Sequence, residues 1–295
     1  MRDELYIFRG RKFSLSEIKI IKKVIESNQG KSRRDISKKI CELINWRQLN
    51  GKLKDAACRE VLRRMNEVGI IDLPRLRLNP PQKSRRPKDR WKEIFKERKE
   101  PIEESLSNLG KVRLQMARSI TEKRFWDYLI DKYHYLGYRR VIGNQVKYLI
   151  YSQGELLGCI GFADAVLKLN LRDRWIGWSI EQREKNLYLI INNVRFLILP
   201  WVKVRNLASK ILSLVSKQVP EDWNSYYGYR PVLLETFVDV GRFSGTAYKA
   251  ASWINLGRTK GKGRCGMKYF IHNRRKDIYV YPLCRNYLRL LRCCR

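Results

Sequence analysis

At 295 residues the chain has room for two modest domains or one large one, and 44% hydrophobic with 31% charged residues makes it globular with a real core. Lys and Arg number 63 against 29 Asp and Glu, a net charge of +34, so like charges repel in the folded state and a polyanion is the natural partner. Residues 1–115 hold 31 Lys and Arg against 16 Asp and Glu, and the remainder 32 against 13, so both parts are expected to touch phosphate and binding to weaken steeply with salt.

The seven cysteines form no CxxC pair, and only His134 and His272 offer imidazole, so no structural zinc is expected. An odd count on a chain without a signal peptide fits the reducing cytosol. Cys41 and Cys58 fall on helical patterns and read as small core residues. No run approaches eighteen apolar residues, so no membrane span or membrane partner is expected.

In chain order, Ser14-Leu15-Ser16-Glu17 is a capping box opening a helix to about Asn28. Ser32-Arg33-Arg34-Asp35 repeats the pattern, and Ile36, Ile40 and Leu43 keep helical spacing. After a polar turn over Trp46–Lys54, a third helix starts near Asp55, with Ala57, Val61, Met65 and Val68 predicted inward and Gly69 ending it. Ile70–Leu73 reads as the first strand of a wing. Three short helices and a strand make a winged helix-turn-helix over residues 1–74. Arg59, Arg63 and Arg64 on the third helix are placed for a major groove, while Arg33, Arg34, Lys38 and Lys39 are placed for phosphates. A small helical bundle with solvated cations is the plainer reading.

Residues 75–115 are rich in Pro and basic residues and read as a linker, with a short charged helix near Trp91–Lys99. A mixed α/β (α+β) domain is predicted over 116–295. It begins with a helix over Glu122–Lys132 and the aromatic turn Tyr133-His134-Tyr135-Leu136-Gly137-Tyr138, whose rings suit base stacking, proton transfer or ordinary packing. Val146–Ser152 and Glu155–Ala163 form a hairpin around Gln153-Gly154. Arg172-Asp173 is a local ion pair, or Asp173 is an acid, base or metal ligand. Leu187–Leu199 is the longest strand, followed by an amphipathic helix over Val202–Lys217 and a loop over Pro220–Pro231.

Val232–Val238 reads as a buried strand with one carboxylate, Glu235, in its interior, and Asp239 at its exit. Thr246 is the predicted N-cap of a helix through Trp253 that Gly257 stops, and Thr259–Arg264 forms a basic glycine loop. Lys268–Asn273 and Ile278–Pro282 are closing strands. A buried acid, Tyr248 and Lys260 within one stretch look more like a site than a scaffold.

Several stretches resemble the DruA family of Druantia anti-phage systems. They are Tyr133–Gly137, Arg172-Asp173 with Ile176-Gly177-Trp178, Asn193–Trp201, Asn206–Ser209, Glu235–Val238 and Gly245–Ala251, with Ile40–Leu43, Asn50–Lys52 and Leu73-Pro74 before them. Ser252 departs from the family, which is expected to carry Asn there. Related modules occur attached to DDE-type transposases, and no such catalytic domain is expected here, the sequence ending at Arg295. The resemblance implies DNA transactions in prophage defence or mobile-element biology, in the bacterial cytoplasm and associated with the nucleoid. The order hairpin, long strand, helix, strand, helix is also similar to the GCN5-related acetyltransferase fold. That fold presents loop glycines to coenzyme A, whereas Lys203–Ala208 holds none, so no coenzyme A is expected and the loop's Lys203 and Arg205 suit a nucleic-acid phosphate.

The leading expectation is a DNA-acting protein that cuts, joins or processes strands. In it Glu235, Asp239 and Asp173 would hold Mg2+, and Tyr248 or His134 would serve as nucleophile or base. Lys260, Lys262 and Arg264 would stabilise phosphoryl charge. The alternatives are a non-catalytic module that recognises DNA (or RNA) and recruits a helicase or transposase, and a group transferase acting on nucleic acid or protein.

Overall fold

The structure is a computed structural model that describes residues 6–8, 11–47, 51–74, 95–98, 100–141, 143–265, 268–271 and 275–293, with the backbone alone over 262–265 and 268–271. The chain divides into two compact units, Met1–Lys83 with Ser225–Tyr229, and Ser84–Asn224 with Arg230–Arg295. Among the described residues no helix is long and apolar enough to cross a membrane.

In the first unit an antiparallel hairpin, β1 (Tyr6–Phe8) and β2 (Arg11–Phe13), precedes α1 (Leu15–Glu26), α2 (Arg33–Leu43) and α3 (Asp55–Glu67). Ser14 and Glu17 form the predicted capping box, and the Ser32 side chain accepts from the Asp35 amide at the head of α2. Each helix buries one apolar stripe: Ile21, Ile36, Ile40, Val61 and Met65 meet around Phe13, with Cys41 and Cys58 in the same core. Two expectations fail here. Val68 is exposed, because α3 ends at Glu67 and the chain turns at Gly69. Ile70–Leu73 is no strand: the Leu73 amide donates to Asn66 Oδ1 at 2.6 Å, so a side chain takes the group a ladder would use, while Ile71 and Leu73 join the helical core. The two-stranded element stands before the helices instead.

In the second unit a seven-stranded mixed sheet runs β3 (Arg113–Met116), β4 (Gln145–Ser152), β5 (Glu155–Asp164), β6 (Ile190–Ile198), β7 (Leu233–Asp239), β11 (Lys276–Pro282) and β8 (Ile254–Arg258) in spatial order. Only β6 and β7 are parallel neighbours, and the crossover between them is α7 (Leu207–Tyr227). The remaining helices among the described residues are α4 (Ile120–Tyr133), α5 (Asn170–Ile176), α6 (Ile180–Asn186), α8 (Thr246–Ala250) and α9 (Tyr287–Leu291). A separate hairpin pairs β9 (Lys262–Cys265), which falls largely in the stretch expected as a loop, with β10 (Lys268–Ile271), which falls in an expected closing strand.

Strand alternation assigns the helices to faces. Neighbours Lys147 and Tyr148 on β4 point oppositely, Lys147 to Asp127 of α4 and Tyr148 to Asp222 of α7. Cross-strand register carries the Lys147 face through Gln145, Ala163 and Asn192 to Glu235, whose partner Arg172 is on α5. Hence α4 and α5 share one face. Tyr248 of α8 bonds Asn193, in the row of Val146, Phe162 and Thr236, so α8 shares the other face with α7.

The hairpin and closing strands fall where the sequence placed them, and other bounds move. Leu187–Leu189 is a 3-10 turn before β6. The helix expected to end near Lys217 runs through Pro220, which removes one backbone bond; buried Val219 and Trp223 hold the helix on the sheet across the gap. Gly245, not Thr246, occupies the N-cap of α8 at φ 72°, and a Cβ there would clash with the Tyr279 hydroxyl. Gly257 lies within β8 rather than ending a helix. Ile102, Leu109 and Val112, in the stretch expected as linker, are buried, and Ile102 bridges to Val202. Of the helix expected near Trp91–Lys99, residues 91–94 and 99 lie outside the described residues, and 95–98 are not helical.

Candidate functional site

The parallel pair β6–β7 is bonded only from Ile190 opposite Leu233 to Asn193 opposite Thr236. On its other side β6 bulges: Phe162 faces Asn193 while the next β5 residue back, Gly161, faces Arg195, leaving Val194 as the extra residue. Beyond these points the strands part, and a cleft of about 650 Å³ opens between them. Its walls come from the end of α4, from β6 and β7, and from the turn that enters α8.

Asn193 anchors the cleft floor. Its amide nitrogen donates to Gly161 O (3.0 Å) and Arg195 O (3.1 Å), fixing the bulge, and its Oδ1 accepts from the Tyr248 hydroxyl at 2.7 Å. Burial pushes the Tyr248 hydroxyl up to about 12, so it stays protonated and donates. His134 caps the C-terminus of α4. Its Nδ1 accepts from the Leu136 amide at 3.2 Å, and its ring stacks on Tyr135 at 4.8 Å. Burial, and then the Arg195 cation, depress its pKa to about 4, so near neutral pH it is uncharged and carries its hydrogen on Nε2.

The electrostatics of the cleft are unbalanced. Arg195, Arg242 and Lys276 line it against one carboxylate, Asp239, which faces Lys276 across the β7–β11 pair and accepts from the Gly241 amide. Neither Arg195 nor Arg242 is in an ion pair among the described residues. Arg195 donates to Val194 O at 2.7 Å, and burial with the neighbouring Arg139 charge lowers its pKa. Arg242 lies over the Tyr135 ring at 5.0 Å, and Phe243 meets the same ring edge-on at 5.5 Å.

Glu235 is elsewhere. Its carboxylate is fully buried on the opposite face of β7 from the Tyr248 side of the cleft, accepting from Arg172 Nη1 at 2.8 Å and from the Val166 amide at 2.9 Å. Burial pushes this carboxyl up, and Arg172 pulls it back. Asp173 accepts from Arg172 Nε and Nη2 at 3.0 and 2.8 Å, and from Trp178 at 3.3 Å. One fully buried guanidinium thus ties two carboxylates together. The set expected to bind Mg2+ is not assembled: Glu235 and Asp173 are engaged by Arg172, Asp239 is in the cleft, and no three His, Cys, Asp or Glu side chains gather for a metal among the described residues. Lys260 is exposed in the loop after β8, away from the cleft wall.

Of the predicted catalytic residues, then, His134 and Tyr248 share one cleft, while Glu235 and Asp173 share another cluster. Sequence reasoning missed Asn193, Arg195, Arg242, Phe243 and Lys276 as cleft residues. The signal was the Asn192-Asn193 interruption of an otherwise apolar strand, polar groups that a sheet interior admits only with partners.

Of the predicted nucleic-acid contacts, Arg34, Lys38 and Lys39 are exposed on α2, and Arg33 Nε donates to Pro74 O. On α3, Arg59 pairs with Asp55 at 2.8 Å, Arg64 with Glu60 at 3.2 Å, and Arg63 with both Glu60 and Glu67. Lys203 pairs with Glu103 at 2.6 Å and Arg205 is exposed, both in the turn before α7. Lys262 and Arg264 lie on β9, and their side chains are outside the described residues.

A search of curated proteins finds no match for the chain. Among solved structures it is similar to FeeM, an N-acyl amino acid synthase from uncultured soil microbes, at 12% identity over 59% of this chain and 90% of that one, TM-score 0.36. It is similar to an acetyltransferase of the GNAT family from Streptococcus pneumoniae (10% identity, 58% and 99% covered, TM-score 0.36) and to one from Bacillus cereus (12%, 60% and 100%, TM-score 0.33). At these values the likenesses carry nothing about activity. The family model described as Druantia protein DruA matches residues 65–270, which spans the whole of the divided sheet except β11, and the chain belongs to the DruA family.

Proposed function

We propose that this DruA-family chain binds nucleic acid in anti-phage defence or mobile-element biology, with the α1–α3 unit meeting duplex DNA and the sheet domain handling a strand. The observation that carries this reading is the surplus of 63 Lys and Arg over 29 Asp and Glu, present in both parts of the sequence. Arg34, Lys38 and Lys39 would contact phosphates from α2, with Arg33 beside them. Arg59, Arg63 and Arg64 would reach the groove from α3 by exchanging their carboxylate partners for DNA, at little cost because solvent screens exposed ion pairs. Lys203, Arg205, Lys262 and Arg264 would extend the phosphate contacts in the sheet domain.

A recognition module that recruits a helicase or transposase is favoured over strand cleavage through Glu235 by one observation: Arg172 and the Val166 amide already take both oxygens of that carboxylate.

Fluorescence anisotropy with labelled duplex across a salt series tests the proposal. The logarithm of the affinity should fall steeply and linearly with the logarithm of salt concentration, and Lys38→Glu/Lys39→Glu should weaken duplex binding about tenfold or more and reduce the slope by roughly 1–2. Absence of binding to duplex, single-stranded and branched oligonucleotides at low ionic strength would overturn it.

A further inference from the structure

Resting on the reading that this chain handles nucleic acid, we infer that the β6–β7 cleft receives one unpaired nucleotide, its phosphate on Arg195 and Arg242 and its base against Tyr135 and Phe243. The starting point is an electrostatic contrast. A guanidinium withdrawn from water needs a compensating anion. Arg172 has two, Glu235 and Asp173, whereas half-buried Arg195 has a single backbone carbonyl and a neighbouring cation, Arg139. Arg242, on the same wall, has an aromatic face and no carboxylate. Half-buried Arg195 without a carboxylate, with exposed Arg242 beside it on the same cleft wall, calls for an anion from outside, and planar, multiply hydrogen-bonding Arg favours phosphate.

The aromatic groups narrow the anion to a nucleotide. Phe243 is 52% exposed at the cleft wall and meets edge-on the Tyr135 ring, on which His134 stacks and over which Arg242 lies, so the aromatic group carries its own cation. Aromatic faces with an adjacent Arg are what a nucleobase stacks on, whatever its sequence. Neutral His134 adds an N–H donor of the kind that reads base edges. The cleft volume of about 650 Å³ suits a small ligand rather than a duplex. A paired base lies inside its stack, so the nucleotide that enters is unpaired or extruded.

The test uses the full chain and a single-stranded oligonucleotide carrying one 2-aminopurine, with Arg242→Ala and Phe243→Ala as variants, both in an exposed turn where the fold is not at stake. Binding should quench the 2-aminopurine, and each variant should lose about tenfold in affinity for the single strand while duplex affinity stays within about twofold. Excess adenosine monophosphate should compete. Quenching by the free mononucleotide analogue with no strand bound would keep the nucleotide and identify it as free rather than polymeric. Single-strand affinity unchanged in both variants would overturn the inference while leaving duplex binding by the α1–α3 unit standing. Inorganic phosphate competing as well as the mononucleotide, or coenzyme A displacing the strand with higher affinity than any nucleotide, would overturn it too. Loss of all oligonucleotide binding by the unaltered chain would instead sink the function on which it rests.

Discussion

Arg172 and Arg195 stand on either side of the point where the central sheet divides, and their surroundings differ in kind. Arg172 is fully buried, with Glu235 and Asp173 on its guanidinium and Val166 O accepting from it. Arg195 is half-buried, with Val194 O alone and no carboxylate among the described residues. The first cluster is closed and ties α5 to β7. The second is open at the cleft. A buried charge with its partners in place is architecture, and one without them is an invitation to a ligand.

The sharpest way to break this contrast is to remove each charge in turn. Arg172→Met should destabilise the protein by about 3–5 kcal/mol, because it strands buried Glu235 and leaves Asp173 with a single more distant cation, Arg183 at 3.7 Å. Arg195→Met should cost less than about 1 kcal/mol, since no anion loses its partner. Urea denaturation of both variants checks the pair, and equal losses would erase the distinction between a structural and a ligand-seeking arginine.

A smaller effect separates the cleft's scaffold from its ligand groups. Tyr248→Phe removes the 2.7 Å bond to Asn193 Oδ1, the amide that pins the β6 bulge. The expected loss is about 1–2 kcal/mol in urea denaturation, with single-strand affinity reduced only as far as the bulge relaxes. A variant of full stability would mean that the Tyr248 bond adds nothing and the bulge is held by the Gly161 and Arg195 carbonyls on the Asn193 amide.

The helices and strands were legible in the sequence because capping residues and apolar spacing act locally: Ser14, Ser32 and Gln153-Gly154 set their elements where the pattern predicts. Ile70–Leu73 misled because an apolar run does not show whether its amides will meet a strand or, as here, an Asn66 side chain. The candidate site was legible only in part. The apolar run around Glu235 shows a buried acid, but its role depends on Arg172, 63 residues away in sequence, and no local pattern announces that pairing. Tyr248 and His134 stand out by their chemistry, whereas Arg195 is, in the sequence, one more cation in a chain of many. Its distinction is a missing partner, and that exists only in three dimensions.

The smallest expected effect is a proton. His134 has a folded pKa of about 4 against an ordinary 6.5, lowered first by burial and then by Arg195. Between these values the unfolded chain binds a proton that the folded one does not. This group's contribution to stability is therefore complete above pH 6.5 and is lost as the pH falls towards 4. His134→Gln should flatten the thermal melting profile in that window and leave it unchanged above pH 7. A phosphate on Arg195 cancels the nearby cation and adds negative charge, which raises the His134 pKa towards its ordinary value. Nucleotide binding near pH 5 should then take up a fraction of a proton, and binding at pH 7.5 almost none, as read by calorimetry in buffers of different ionisation enthalpy. The uptake should vanish in His134→Gln. The closed Arg172 cluster has no ligand to couple to, so proton uptake that persisted in His134→Gln and disappeared in a Glu235 variant would move the ligand from the open arginine to the closed one.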